Sequence, residues 1–216
     1  AKWNGFTLRW YSELFQNTRI MDALKYTLII AVLASIIATI IGTLAAIGIH
    51  RMKGVPKKTL LNINNLPVLN PDIVTGISLM SLFIFIFPIL NKIGINAQFG
   101  FGTMLLAHIT FNIPYTILSI MPKLRQTSRY TYEAALDLGA SPLYAFFKVV
   151  FPDILPGVSS GFLLAFTMSL DDFIITHFTK GPGIDTLSTK IYTEVRKGIK
   201  PEIYALSTIM FVTVLV

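Results

Sequence analysis

The sequence of 216 residues contains no cysteine, so neither a disulfide framework nor a cysteine metal site is possible. Charged residues are scarce as well, at 13% of the chain, and 11 of them are acidic. The three histidines are scattered and form no spaced metal motif. A glycine–lysine phosphate loop, a GxSxG motif and an HExxH motif are also absent. We therefore expect this chain to have no catalytic residue, no metal site and no bound cofactor.

What the sequence has in abundance is apolar residues, at 53% of the chain with a mean hydropathy of +0.66. These values are typical of an all-α protein that crosses a bilayer several times. The net charge of +7 comes from basic residues that flank the apolar stretches and do not cluster with aromatic residues on one face. Flanking charge of this kind follows from membrane topology, so we expect no nucleic-acid partner.

Five apolar stretches predict membrane-spanning helices within a single transmembrane domain. They cover about residues 24–49, 66–86, 103–121, 158–178 and 203–216. The last stretch is shorter than the roughly 20 residues that a span needs. Both ends of the sequence look clipped, and we expect a sixth span to precede Ala1.

The short segment from His50 to Lys58 is the most densely basic connection between two spans. Short basic connections tend to stay in the cytoplasm, although the total lysine and arginine counts on the two sides do not decide the orientation. We place residues 50–65 and 122–157 on the cytoplasmic side.

The second of these cytoplasmic segments contains a helix-prone stretch, Thr131 to Leu138, followed by strong turn signals. Gly139 can adopt the left-handed conformation that ends a helix. Ser141 then offers an N-cap oxygen, and Pro142 suits the first position of a second helix. The sequence thus predicts two short helices joined by a tight turn close to the bilayer.

This segment resembles the EAA loop of ABC-importer permeases. The residues that carry the resemblance are Glu133, Ala134, Ala135, Gly139 and Pro152. The resemblance implies a type I ABC importer permease fold, with about five of its six spans visible here. It also implies that the Glu133–Gly139 segment docks into a separate ATPase subunit, which binds the ATP and Mg²⁺. An interfacial amphipathic loop of another kind of transporter is the alternative.

Three acidic residues, Asp72, Asp171 and Asp172, lie within or at the edge of apolar stretches. A charge at the bilayer centre costs about 2.5–3.5 kcal/mol, and adjacent carboxylates repel each other unless a proton or a cation separates them. A pathway for a cationic solute explains all three. In the alternative interpretation the adjacent pair is structural, with one carboxylate capping a broken helix or pairing with a lysine of a partner. Asp72, which follows Pro71, can equally cap the start of a helix.

Further sequence patterns are similar to those of polyamine-type permeases: Asn70-Pro71-Asp72, Ser169 to Phe173, and a series from Gly181 to Glu202. With the EAA-like loop, they make the chain look like the second permease subunit of a spermidine/putrescine importer of the bacterial inner membrane. That resemblance implies three kinds of partner: a second, homologous permease, a pair of ATPase subunits and an extracytoplasmic substrate-binding protein. Permeases for ferric iron or aminophosphonates share parts of these patterns and stay open as alternatives.

Two interpretations from other classes compete with an importer. In a proton-coupled secondary transporter the intramembrane acids would carry protons. In a membrane scaffold protein they would be structural. The EAA-like loop argues against the first, because proton coupling requires no docking surface for an ATPase.

Overall fold

The computed structural model describes residues 7, 9–198 and 201–215. This part of the chain folds into eleven α-helices and one π-helical turn, and it contains no strand. The helices are α1 (Arg9–Gln16), α2 (Thr18–Arg51), α3 (Val55–Leu69), α4 (Asp72–Lys92), α5 (Phe101–Gln126), α6 (Arg129–Asp137), α7 (Pro142–Ala145), α8 (Phe151–Asp171), α9 (Ile174–Thr179), α10 (Leu187–Lys197) and α11 (Pro201–Leu215). The π-helical turn, Phe146–Val150, joins α7 to α8.

Three long helices, α2, α5 and α8, pack together as the body of the molecule. Small residues on α2 let the other two approach closely, and Ala31, Ala34 and Ala38 are completely buried. Larger apolar side chains fill one end of this bundle: Ile49, Ile117, Ile120, Met121, Leu124 and Ile154. At the other end, α1 and α10 pack against α2 and α11 through Leu14, Ile20, Leu187, Ile203 and Leu206.

Within the described residues, four segments are long and apolar enough to cross a bilayer: 18–51, 72–92, 101–126 and 142–171. The all-α membrane fold is therefore confirmed. The predicted spans 24–49 and 103–121 correspond to α2 and α5, which are both several residues longer. The predicted stretch 203–216 corresponds to α11, which has 15 residues, and Val216 lies outside the described part.

The predicted span 66–86 is two helices in the structure, and the chain turns between them at Asn70-Pro71. Asn70 is extended, with ψ at 144°, because the proline ring disfavours a helical conformation in the residue before it. The membrane-crossing helix α4 therefore begins at Asp72 and continues to Lys92.

The predicted span 158–178 is also interrupted. Its helix begins much earlier, since α7, the π-helical turn and α8 run without a gap from Pro142 to Asp171. At Asp172 the backbone becomes extended, with ψ at 123°, and a separate helix of six residues, α9, follows. This break places the two adjacent acids in different surroundings.

Candidate functional site

The turn after α6 has the geometry that the sequence predicts. Gly139 has φ +88°, in the left-handed region. Its N–H donates to the carbonyl of Leu136 at 2.9 Å, and the Ala140 N–H donates to the carbonyl of Ala135 at 3.1 Å. These two bonds are the Schellman pattern that closes a helix on a glycine. The first short helix and the tight turn are confirmed. The second helix is not short, because it continues through the π-helical turn into α8.

The second helix begins as predicted at Ser141 and Pro142. The hydroxyl oxygen of Ser141 accepts a hydrogen bond from the Tyr144 N–H at 3.3 Å. We call α6, α7 and the turn between them the knob. Its surface carries Glu133 and Ala134 exposed and Ala135 half-buried. It also exposes four large apolar or aromatic side chains, and such exposure is typical of surfaces that contact another protein: Tyr130, Leu138, Leu143 and Tyr144.

A cavity of about 670 Å³ separates the knob from the end of α2. Glu133 and Leu136 of the knob line it on one side, and the basic residues His50, Arg51 and Lys57 line it on the other. The two segments that the sequence assigns to the cytoplasm thus lie at the same end of the molecule. The positively charged side chains of Arg51 and Lys57 thus share this cavity with the carboxylate of Glu133.

Asp172 is held inside the protein at the break between α8 and α9. Its side chain is 7% exposed. One carboxylate oxygen, Oδ1, accepts from the Ile175 N–H at 3.1 Å, and the other, Oδ2, accepts from the Thr176 N–H at 2.7 Å. The carboxylate therefore satisfies two backbone donors in the first turn of α9, where a negative charge is also favoured by the helix dipole.

His108 of α5 stands beside this carboxylate and is completely buried. Its Nε2 lies 3.0 Å from Oγ1 of Thr176 and 3.5 Å from Oδ2 of Asp172. One turn further along α5, the amide nitrogen of Asn112 donates to Oγ of Ser169 at 2.7 Å. Polar side chains of α5 therefore bond to the chain on both sides of the break.

Asp171 points away from this network and is exposed. It lines a groove of about 400 Å³ between the end of α8 and helix α10. The aromatic rings of Phe173 and Tyr192 also line this groove, with centroids 4.5 Å apart. The guanidinium carbon of Arg196 lies 5.9 Å from the Tyr192 centroid, so a cation already occupies one side of that ring.

Asp72 does not share the groove of Asp171. It is the first residue of α4 and is exposed, and α4 packs against α9 on the far side of the break. Its position in the first turn suits the helix dipole. The structure thus separates the three acids into one buried carboxylate and two exposed ones.

Sequence reasoning missed the part that α5 plays at the break. His108 and Asn112 are one helical turn apart in an apolar span, and two polar residues at that spacing in a membrane helix are a signal for a buried polar contact. Their partners, Thr176 and Ser169, are more than fifty residues away in sequence. No local pattern identifies them.

Residues 38–216 match the family described as the binding-protein-dependent transport system inner membrane component. The match covers most of the chain, so the protein belongs to this family. It is an ABC importer permease, a multi-pass subunit of the inner membrane that acts in transport and is not an enzyme.

Two relatives from Escherichia coli K12 show how far the likeness extends. The putrescine transport system permease protein PotI is 41% identical over 211 residues, which is 96% of this chain and 73% of that protein. The spermidine/putrescine transport system permease protein PotC is 37% identical over 214 residues, which is 99% of this chain and 78% of that protein.

A solved structure of an amino acid ABC transporter has the same fold. It aligns with a TM-score of 0.60 and 20% sequence identity, covering 97% of this chain and 94% of that one. At this identity the likeness supports the type I permease fold and says nothing about the substrate.

Proposed function

We propose that this chain is the permease subunit of a polyamine importer and that its pathway carries putrescine or spermidine. The observation that carries the proposal is Asp171, an exposed carboxylate at a break in a membrane span, beside two aromatic rings. The similarity of almost the whole chain to permeases named for putrescine and spermidine transport supports the same substrate class.

The chemistry of polyamines fits this arrangement. They carry protonated amines separated by apolar carbon chains, so a pathway needs carboxylates with apolar or aromatic walls between them. Asp171 supplies the charge, Tyr192 and Phe173 supply aromatic faces that attract cations, and Leu187 and Ile191 supply apolar wall. Asp72, exposed at the start of α4, is a second carboxylate for the same pathway.

The knob is the proposed contact with the ATPase subunit. Glu133, Ala134, Ala135 and Gly139 would shape this contact, and the exposed apolar side chains beside them would be covered by it. ATP and Mg²⁺ would then be bound by the ATPase, and this chain would hold no cofactor. Two ATPase subunits would serve two permeases.

A second, homologous permease would complete the membrane part of the importer, with this chain as one permease domain. Helices α3 and α4 support this: α3 buries no residue within the chain, and Gly76 is the one buried residue of α4. In the importer, closure of the ATPase pair would move the knobs and open the pathway outward. An extracytoplasmic binding protein would then release its cation toward Asp171.

Reconstitution of the complete importer in proteoliposomes tests this function. We expect uptake of labelled putrescine or spermidine that requires the binding protein outside and ATP with Mg²⁺ on the ATPase side. Unlabelled diamines should compete, whereas amino acids, ferric iron and aminophosphonates should not. Uptake that continues without ATP and collapses with a proton ionophore would instead establish a secondary transporter. Competition by an amino acid, ferric iron or an aminophosphonate would show that this solute, and not a polyamine, is the substrate.

A further inference from the structure

We propose that His108 is a positioning residue for transport: it fixes Asp172 and the first turn of α9, and thereby turns Asp171 toward the groove. This inference rests on the proposed function, in which Asp171 belongs to the substrate pathway. It assigns the adjacent acids to different tasks. Asp172 holds the backbone, and Asp171 meets the cation.

The break needs such support because it lies within an apolar part of the chain. The N–H groups of Ile175 and Thr176 have no helical partners in the first turn of α9, and both residues are completely buried, so water does not bond to them. Helix α9 has only six residues, far fewer than an isolated helix needs to be stable. Its geometry must therefore be imposed by neighbouring side chains.

Helix α5 supplies this support at both ends of α9. At the start, Nε2 of His108 lies between the hydroxyl of Thr176 and the carboxylate of Asp172. At the end, the hydroxyl of Thr103 donates to the carbonyl of Thr179 at 2.8 Å. Because a carboxylate accepts only, the proton of His108 must be on Nε2 for the contact with Asp172 to be favourable.

The other ring nitrogen of His108 takes no part in this contact. Nδ1 is buried and has no hydrogen-bond partner among the described residues. The role of His108 at the break therefore depends on a donor at the Nε2 position alone. Glutamine and asparagine, whose amides resemble different parts of the imidazole ring, should therefore differ in how well they replace His108.

In His108→Gln, the amide nitrogen reaches about as far from the backbone as Nε2 does. In His108→Asn, the amide nitrogen corresponds to Nδ1 and is too short to reach Asp172 or Thr176. Both variants place a neutral amide in the same buried position, so they are matched in polarity. We expect His108→Gln to import polyamine within about threefold of the wild type and His108→Asn to lose about tenfold, which is the upper size of a neutral hydrogen bond such as the one to Thr176.

A cysteine probe reports the orientation of position 171 directly. Residues 1–216 contain no cysteine, so the thiol of an Asp171→Cys variant is the one thiol among them, and the same preparation without this substitution gives the background labelling of the importer. We expect a water-soluble thiol reagent to label this cysteine at the same rate in the double variant that also carries His108→Gln. In the double variant with His108→Asn, the labelling rate of the same cysteine should change several-fold.

Three results would overturn the inference: equal uptake by both amide variants and the wild type, equal loss in both, or an unchanged labelling rate with His108→Asn. Immunodetection of this chain in the purified importer confirms that the compared samples contain equal amounts of it. Asp171→Asn in the same uptake assay tests the proposed pathway separately. If that variant transports normally, the pathway is refuted; if it fails while the His108 variants behave alike, only the positioning role is refuted.

Discussion

At the scale of single residues, the adjacent acids illustrate how position in the fold decides what a charge does. Asp171 and Asp172 are neighbours in sequence, yet the side chain of Asp172 is almost completely buried and that of Asp171 borders a groove. Two interpretations of the acids therefore apply to different residues. Capping of a broken helix fits Asp172, and a place in a cation pathway fits Asp171. Adjacent carboxylates need no shared proton when they point to different environments.

This division predicts distinct effects of charge removal. Asp171→Asn should lower polyamine uptake by about tenfold or more and leave the thermal stability of the importer unchanged, because in the proposed pathway this exposed carboxylate would contact solute rather than backbone. Asp172→Asn should lower both the uptake and the thermal stability, because the Ile175 and Thr176 N–H groups lose a charged acceptor. Uptake assays and thermal aggregation of the purified complex measure the two quantities.

Asp22→Asn is the control for these variants. Asp22 is 64% exposed and forms a surface pair with Lys25 at 3.9 Å, a kind of contact that contributes little. It should leave uptake and stability unchanged. The division is refuted if Asp171→Asn destabilises the complex as much as Asp172→Asn does.

At the scale of elements, the knob depends on one backbone conformation. Gly139 closes α6 with φ +88°, and a Cβ there would meet no other atom within 4 Å. Substitution is therefore opposed by backbone strain and not by a clash. A β-branched residue in this region costs about 1–3 kcal/mol, whereas asparagine tolerates it.

We expect Gly139→Val to reduce substrate-stimulated ATP hydrolysis and uptake strongly, and Gly139→Asn to retain most of both. Gly94 provides a matched control, because it closes α4 with φ +87° and the same pair of backbone bonds, in equally open surroundings. Gly94→Val should bear the same strain with little effect on ATPase stimulation. Equal losses in the two valine variants would show that strain alone, and not the knob, explains the effect.

The knob could be predicted from sequence because its geometry is local. Gly139, Ser141 and Pro142 each have a conformational preference that neighbouring residues do not override. From sequence alone the break at Asp172 is only one of two interpretations, because apolar residues flank the two acids on both sides. The α5 side chains that bond on either side of it, His108 and Asn112, are distant in sequence from their partners. The turn at Asn70-Pro71 had a local signal, yet the apolar residues on either side of it led to the prediction of one span.

At the scale of the whole molecule, the helices divide into a packed body and a peripheral pair. Helices α2, α5 and α8 bury a shared core, whereas α3 buries no residue and α4 buries only Gly76 within the described residues. Exposed apolar side chains on α4 include Ile77, Leu82 and Phe85. Such a surface suits contact with lipid and with another permease, and it leaves the stability of the chain to the body.

The three helices of the body meet at Thr116. The Thr116 hydroxyl lies 3.3 Å from the carbonyl of Ala38 on α2. A Cβ added to Gly161 of α8 would lie 3.4 Å from the Cα of Thr116. A Cβ added to Gly42 of α2 would lie 2.2 Å from Oγ1 and 2.8 Å from Cβ of Thr116. Both distances are far below van der Waals contact, so the helices must separate to admit even one methyl group.

Gly42→Ala should therefore destabilise the complex by about 1–3 kcal/mol, the usual penalty of overpacking a close-packed interior. Gly48→Ala is the matched control on the same helix, because a Cβ there meets nothing within 4 Å and alanine favours helix over glycine. Membrane proteins commonly unfold irreversibly, so the measurement is the temperature at which half of the detergent-solubilised complex aggregates, at one heating rate. That temperature should fall by several degrees for Gly42→Ala and stay level or rise for Gly48→Ala. If the two variants aggregate at the same temperature, the close approach of α2 to α5 does not limit the stability of the body.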